Sequence, residues 1–132
     1  MFNDFYTGKK ILVTGHTGFK GSWLCTWLLN LGAEVTGYSI DVPSEPSLFE
    51  DLRLSEKITD IRGDVRDLNN LKNALADQSP DLIFHLAAQP IVRRSYDDPV
   101  ETFTTNAIGS MNIFCLLYTS PSPRDRTRSR MP

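Results

Sequence analysis

Three glycines spaced Gly15-x-x-Gly18-x-x-Gly21 are the residues of this chain best suited to chemistry. They sit in the stretch Gly15-His16-Thr17-Gly18-Phe19-Lys20-Gly21, directly after the apolar, β-branched run Lys10–Thr14. A strand that ends in such a turn and opens a helix can cradle the pyrophosphate of a dinucleotide. Gly15 permits the tight turn, Gly18 lets the backbone approach a phosphate, and Gly21 lets the helix pack closely on the strand. The pattern therefore points to NAD or NADP. His16 and Lys20, polar or cationic groups inside the turn, are expected to strengthen the hold on the phosphates. Thr17 and Phe19 complete the predicted cradle.

A second strand, Glu34–Tyr38, ends at the place where an acidic residue would bind the adenosine ribose. Ser39 occupies that place and Asp41 stands two residues on. Asp41 reads equally as a ribose ligand or as a plain loop acid. No arginine accompanies them to favour a 2′-phosphate, so the expectation leans to NAD without excluding NADP.

These motifs need elements to position them. Gly18–Leu31 has helical spacing, with Phe19, Trp23, Leu24, Trp27, Leu28 and Leu31 as the expected apolar face and Gly32 as the stop. Ser47–Leu54 reads as a short helix and Lys57–Arg62 as a third strand. Asp67 caps a helix through Leu75, and Asp81–Ala87 is a fourth strand. Asp98-Pro99 opens a last helix whose expected apolar face is Phe103, Ala107, Met111 and Phe114. Alternating strands and helices demand a parallel sheet with right-handed crossovers. The fold class is thus α/β, a Rossmann-type doubly wound sheet, incomplete at about four strands.

The 132 residues suffice for about one domain. The opening residues lack the order of a secretory signal, and no run is apolar for long enough to span a membrane, so a cytoplasmic location is expected. The net charge is −2, but residues 115–132 carry +3 and the first 114 carry −5. Such an acidic body argues against a nucleic-acid partner. Cys25, inside an apolar helical pattern, reads as a buried thiol, and no metal site is expected. From Cys115 the composition changes to prolines and arginines. Cys115 to Asp125 reads as the translation of a transposon-end sequencing adapter. The expected division is a dinucleotide-binding part over 1–114 and a disordered, non-native tail over 115–132.

The glycine spacing resembles the extended short-chain dehydrogenase/reductase superfamily, which includes nucleotide-sugar epimerases and dehydratases. Three segments resemble the CDP-glucose 4,6-dehydratase family more closely: Val13–Leu24, Pro46–Glu50 and Ala87–Tyr96. The likeness runs from about Gly8 to Phe114, roughly the first third of such an enzyme. It implies an NAD-mediated internal redox reaction on a nucleotide-linked glucose, and a homodimer for the full-length protein. It also implies that Asp64 and Val65 reach the adenine edge, and that the backbone at Leu86, Ala87, Ala88 and Gln89 passes close to the cofactor. Asn106 either lines the site or ties helix to sheet. His85 reads as a core histidine. The superfamily's catalytic Tyr-x-x-x-Lys has no counterpart here, because Tyr6-Thr-Gly-Lys-Lys10 precedes the first strand. GDP-mannose dehydratases, UDP-sugar epimerases and a non-catalytic NAD-binding module are the alternative readings.

Overall fold

A computed structural model of the chain describes residues 2–43, 45–89 and 91–119. Its strands are β1 (Lys10–Thr14), β2 (Glu34–Ser39), β3 (Thr59–Arg62) and β4 (Leu82–His85), and they form one parallel sheet in the order β3-β2-β1-β4. The helices are α1 (Phe19–Asn30), α2 (Leu48–Asp51), α3 (Leu68–Gln78), α4 (Val92–Asp97), α5 (Pro99–Phe103) and α6 (Gly109–Thr119), with a π-helical stretch over Thr104–Ile108 joining α5 to α6. The chain runs outward from β1 to β3 and then crosses to the far side of β1. This places the topological switch point between β1 and β4, where doubly wound sheets bind ligands outside the carboxyl ends of their strands.

The core has two halves, one on each face of the sheet. Ile11 and Val13 of β1 pack with Val35, Cys25, Leu28, Phe49 and Leu54. Leu12 points to the other face and packs with Tyr38, Val65, Leu71, Leu75, Ile113 and Leu116. Strands buried on both sides read as continuous apolar runs, which is why Lys10–Thr14 is legible as a strand. Burial also pushes the Cys25 thiol up to about 12, so it is an inert core group.

The expected caps form. Asp67 accepts from the Asn70 N–H at 3.1 Å, and Asp98 accepts from the Glu101 N–H at 2.9 Å ahead of Pro99. Gly32 closes α1 with φ +87°.

Two expected helix faces are corrected. On α1 the buried residues are Gly21, Ser22, Cys25 and Leu28, while Phe19, Trp23 and Trp27 are exposed. Gly21 and Ser22 face inward because the start of α1 lies so close to the glycine turn that bulky residues cannot fit there, while Leu28, from the expected face, is buried further along. On the last helix Phe103, Met111 and Phe114 are exposed, and Asn112, Ile113 and Leu116 face the sheet. The helix also runs to Thr119, past the expected boundary at Phe114, because Leu116 continues its buried stripe. The remainder of the expected tail, 120–132, lies outside the described residues. Among the described residues, no helix is long and apolar enough to cross a membrane.

Candidate dinucleotide site

The glycine turn leaves β1 at the switch point. Gly15 has φ +77°, a conformation that side chains rarely adopt, and a Cβ there would lie 2.7 Å from the Leu86 carbonyl carbon. A Cβ on Gly21 would overlap the Gly15 oxygen. These two glycines are required by the protein's own packing. Gly18 differs. Its φ is −76°, and a Cβ would find only the Gly15 oxygen, at an ordinary 3.5 Å. The space in front of Gly18 is therefore open, at the amino end of α1 where unpaired N–H groups and the positive end of the helix dipole converge.

His16 does not face that space, contrary to the expectation from its position. Its ring is fully buried, and its Nε2 meets Asp60 Oδ1 at 2.6 Å. The ring sits edge-on to Phe49, with centroids 5.3 Å apart, and occupies the volume a Cβ on Gly37 would need. The imidazole thus ties the turn to β3 and cannot touch a bound phosphate. Lys20 and Phe19 remain exposed beside the turn. Thr17 is buried, and its Oγ1 donates to the Asp41 carbonyl at 2.6 Å, fastening the turn to the loop after β2.

Ser39 ends β2. It is 6% exposed and its Oγ has no hydrogen-bond partner. A buried hydroxyl without a partner is uncommon, and a ribose hydroxyl at this strand end would satisfy it. An arginine does stand beside Ser39, through the sheet and not the sequence: Arg62 pairs with it in register. Its guanidinium is held by Asp60 Oδ2 at 3.1 Å and lies 5.2 Å from the Phe49 ring centroid.

The loop after β3 is gripped from behind. Tyr38 donates to the Asp64 carbonyl at 3.0 Å, and Asn70 donates to the Tyr38 hydroxyl at 3.2 Å. Asn112 Nδ2 donates to the Val65 carbonyl at 2.9 Å. Gly109 makes room for Val65, whose Cγ2 would lie 2.5 Å from an added Cβ. Arg66 closes on the Asp64 carboxylate and holds it below the usual carboxylate range, chiefly through side-chain hydrogen bonds.

The segment after β4 is pinned on both sides. The Leu86 and Ala87 N–H groups donate to Thr14 Oγ1 at 3.1 and 3.2 Å. Asn106 brackets Gln89, accepting from its N–H at 2.6 Å and donating to its carbonyl at 3.1 Å. Asn106 lies in the π-helical stretch, a distortion frequent at functional sites. Of the two roles open to Asn106, the geometry shows the tie between helix and post-strand segment. Ala88 is exposed beside it. His85 bridges Thr14 Oγ1 at 2.6 Å and Ser110 Oγ at 2.9 Å. Tyr6 and Lys10 lie at the opposite, amino end of the sheet, far from the glycine turn.

Sequence reasoning missed Thr14, Gly37, Tyr38, Asn70, Arg66 and Asn112. Two left a signal. Gly37 is a glycine inside a buried strand, which marks a close approach. Asn112 is a polar residue within an apolar helical run.

Both histidines have pKa values below the ordinary histidine range, in each case chiefly through burial, which in His16 outweighs the pull of Asp60. The unfolded chain therefore takes up protons first as pH falls, and stability is lost as pH drops below about 6.5. The urea midpoint is expected to fall between pH 7.5 and pH 5. His16→Gln should flatten that slope, and a midpoint that holds steady or rises toward pH 5 would contradict the assignment.

Fold and site together define a dinucleotide-binding half of a doubly wound sheet. The family model for GDP-mannose 4,6 dehydratase matches residues 12–127, and the chain belongs to that family. It is 50% identical over 110 residues to a CDP-glucose 4,6-dehydratase of Salmonella typhimurium, a match covering 83% of this chain and 31% of that protein. It is 34% identical to a GDP-mannose 4,6-dehydratase of Vibrio cholerae, covering 80% and 30%. A crystal structure of Thermus thermophilus UDP-glucose 4-epimerase in complex with NAD superposes with a TM-score of 0.73 at 29% identity, covering 83% of this chain and 33% of that one. The chain thus spans about a third of the length of these relatives.

Proposed function

We propose that this chain is the cofactor-binding part of a longer nucleotide-sugar dehydratase that uses NAD and acts on CDP-glucose. The open cradle at Gly18 carries the reading: the protein's own packing explains Gly15 and Gly21 but leaves Gly18 free for a phosphate. The unpartnered Ser39 hydroxyl supports it as a ribose contact, with Asp41 next to it and Lys20 at the rim. Asp64 and Val65 face the adenine, and the Leu86–Gln89 backbone borders the nicotinamide half. The structurally similar Thermus epimerase was solved in complex with NAD, which supports this choice of cofactor. When bound, NAD supplies a hydride acceptor and then donor for internal redox on the sugar. The chain's residues bind and orient it.

Cytidine is favoured over guanosine because the likeness to the CDP-glucose relative is 50% against 34% for the GDP-mannose relative. The test is an assay of the longer protein with CDP-glucose, GDP-mannose and UDP-glucose plus NAD. Formation of a 4-keto-6-deoxy product from CDP-glucose is expected, and turnover of GDP-mannose alone would overturn the cytidine assignment.

We place the enzyme in the cytoplasm, where nucleotide sugars are made. We also read the exposed stripe Phe103, Met111 and Phe114 as a face for a second copy of the full-length protein. A sedimentation experiment showing only monomer for that protein at micromolar concentration would remove the dimer.

A further inference from the structure

Arg66 is placed to control how the site reads the base. The carboxylate of Asp64 accepts from the Arg66 N–H at 2.9 Å, from Arg66 Nε at 3.0 and 2.9 Å, and from an Arg66 terminal nitrogen at 2.5 Å. Three N–H groups make these four contacts, the Nε–H being shared between the two oxygens, so of the roughly four acceptor sites of an ionised carboxylate about one is left over. The clamp also fixes the plane of the carboxylate, because a guanidinium fork binds it in two-point geometry. The loop underneath is immobilised by Tyr38 and Asn112, and the described hydrogen bonds leave the Val65 N–H unused. One oriented acceptor beside one free donor complements adenine, whose 6-amino group donates and whose N1 accepts. It opposes hypoxanthine, which presents a carbonyl at position 6 and an N–H at position 1.

We infer that Arg66 is a positioning residue for base selectivity: it aims the Asp64 carboxylate so that the site accepts a 6-amino purine and rejects a 6-oxo purine. This rests on the dinucleotide reading above and deepens it. Among the described residues no other group is bonded to that side chain, since the contacts from Tyr38 and Asn112 reach only loop carbonyls. Both partners are partly exposed, with side-chain exposures of 35% for Arg66 and 25% for Asp64, so replacing Arg66 removes the clamp without opening the core.

The experiment titrates NAD and nicotinamide hypoxanthine dinucleotide separately into the 132-residue chain and its Arg66→Ala and Arg66→Lys variants, by calorimetry. The unmodified chain is expected to prefer NAD by about tenfold or more, as one correctly paired against one mispaired hydrogen-bonding edge implies. Arg66→Ala should weaken NAD by about five- to tenfold and leave the hypoxanthine compound within about twofold, collapsing the preference. Arg66→Lys, which keeps charge but not the fork, should restore only part of it. Equal weakening of both ligands would mean a merely structural role and overturn the inference, as would an unchanged preference. Failure of both dinucleotides to bind the folded, unmodified chain would overturn the dinucleotide reading itself, and that result is distinct from the other two.

Discussion

Gly18→Val is expected to leave the chain folded and to weaken NAD binding by at least about thirtyfold, or about 2 kcal/mol. The backbone at Gly18 is extended, with φ −76° and ψ 171°, a conformation natural to valine. The nearest atom to an added Cβ is the Gly15 oxygen at 3.5 Å, so the side chain enters open space. Valine is a poorer helix cap than glycine, which limits the stability loss to under about 1 kcal/mol. The same isopropyl group stands where a pyrophosphate must come against the helix end, and there it excludes the ligand. Thermal unfolding and calorimetric titration separate the two effects. A variant that binds NAD as the parent does would show that the phosphates lie elsewhere. Gly21→Ala serves as the contrast, because its Cβ meets backbone and must disturb the fold itself.

Gly37→Ala should destabilise the fold by about 2–3 kcal/mol, in the range of overpacked cores, and lower the melting temperature by roughly 10 °C. Its Cβ would overlap the His16 ring, which has no room to retreat: Phe49 lies at its edge and Asp60 holds Nε2. The cause is testable by a double-mutant cycle. Removing the ring with His16→Ala makes space for the new methyl, so the double variant should be more stable than the sum of the single losses predicts, by about 1 kcal/mol or more. Strictly additive losses would show that the alanine strains the strand by another route. The cycle also bears on function, since the same ring ties the phosphate turn to β3.

The fold was largely legible because its signals are local. Lys10–Thr14 is too apolar for a surface strand, Asp67 and Asp98 are placed as caps, and the alternation of strand and helix leaves one sheet topology. The helix faces were not legible. Periodicity reports where large apolar residues lie, but Phe19, Trp23 and Trp27 on α1 and Phe103, Met111 and Phe114 on the last helix point away from the sheet, while Leu28, Ile113 and Leu116 point toward it. Close approach at the turn selects Gly21 and Ser22 for the buried side where α1 begins, so size and not hydrophobicity decides that part of the face. Of the site, the turn glycines and the segments after each strand could be found from spacing. The grips on those segments could not. Tyr38, Asn70 and Asn112 act on residues distant in sequence, and only the packing of sheet and helices brings them together. His16 shows the opposite error. Its place in the motif suggested a phosphate contact, whereas Gly37 on a neighbouring strand opens the space that draws its ring inward.

The central claim is that the cleft at the carboxyl ends of β1, β2 and β4 binds NAD. Its most direct test is titration of NAD into the isotopically labelled chain, followed by amide NMR. Progressive, saturable shifts are expected at Gly15, Gly18, Ser39, Val65 and Ala87, with little change at the amino ends of the strands near Lys10 and Glu34. No saturable shifts, or shifts confined to the amino ends, would contradict it.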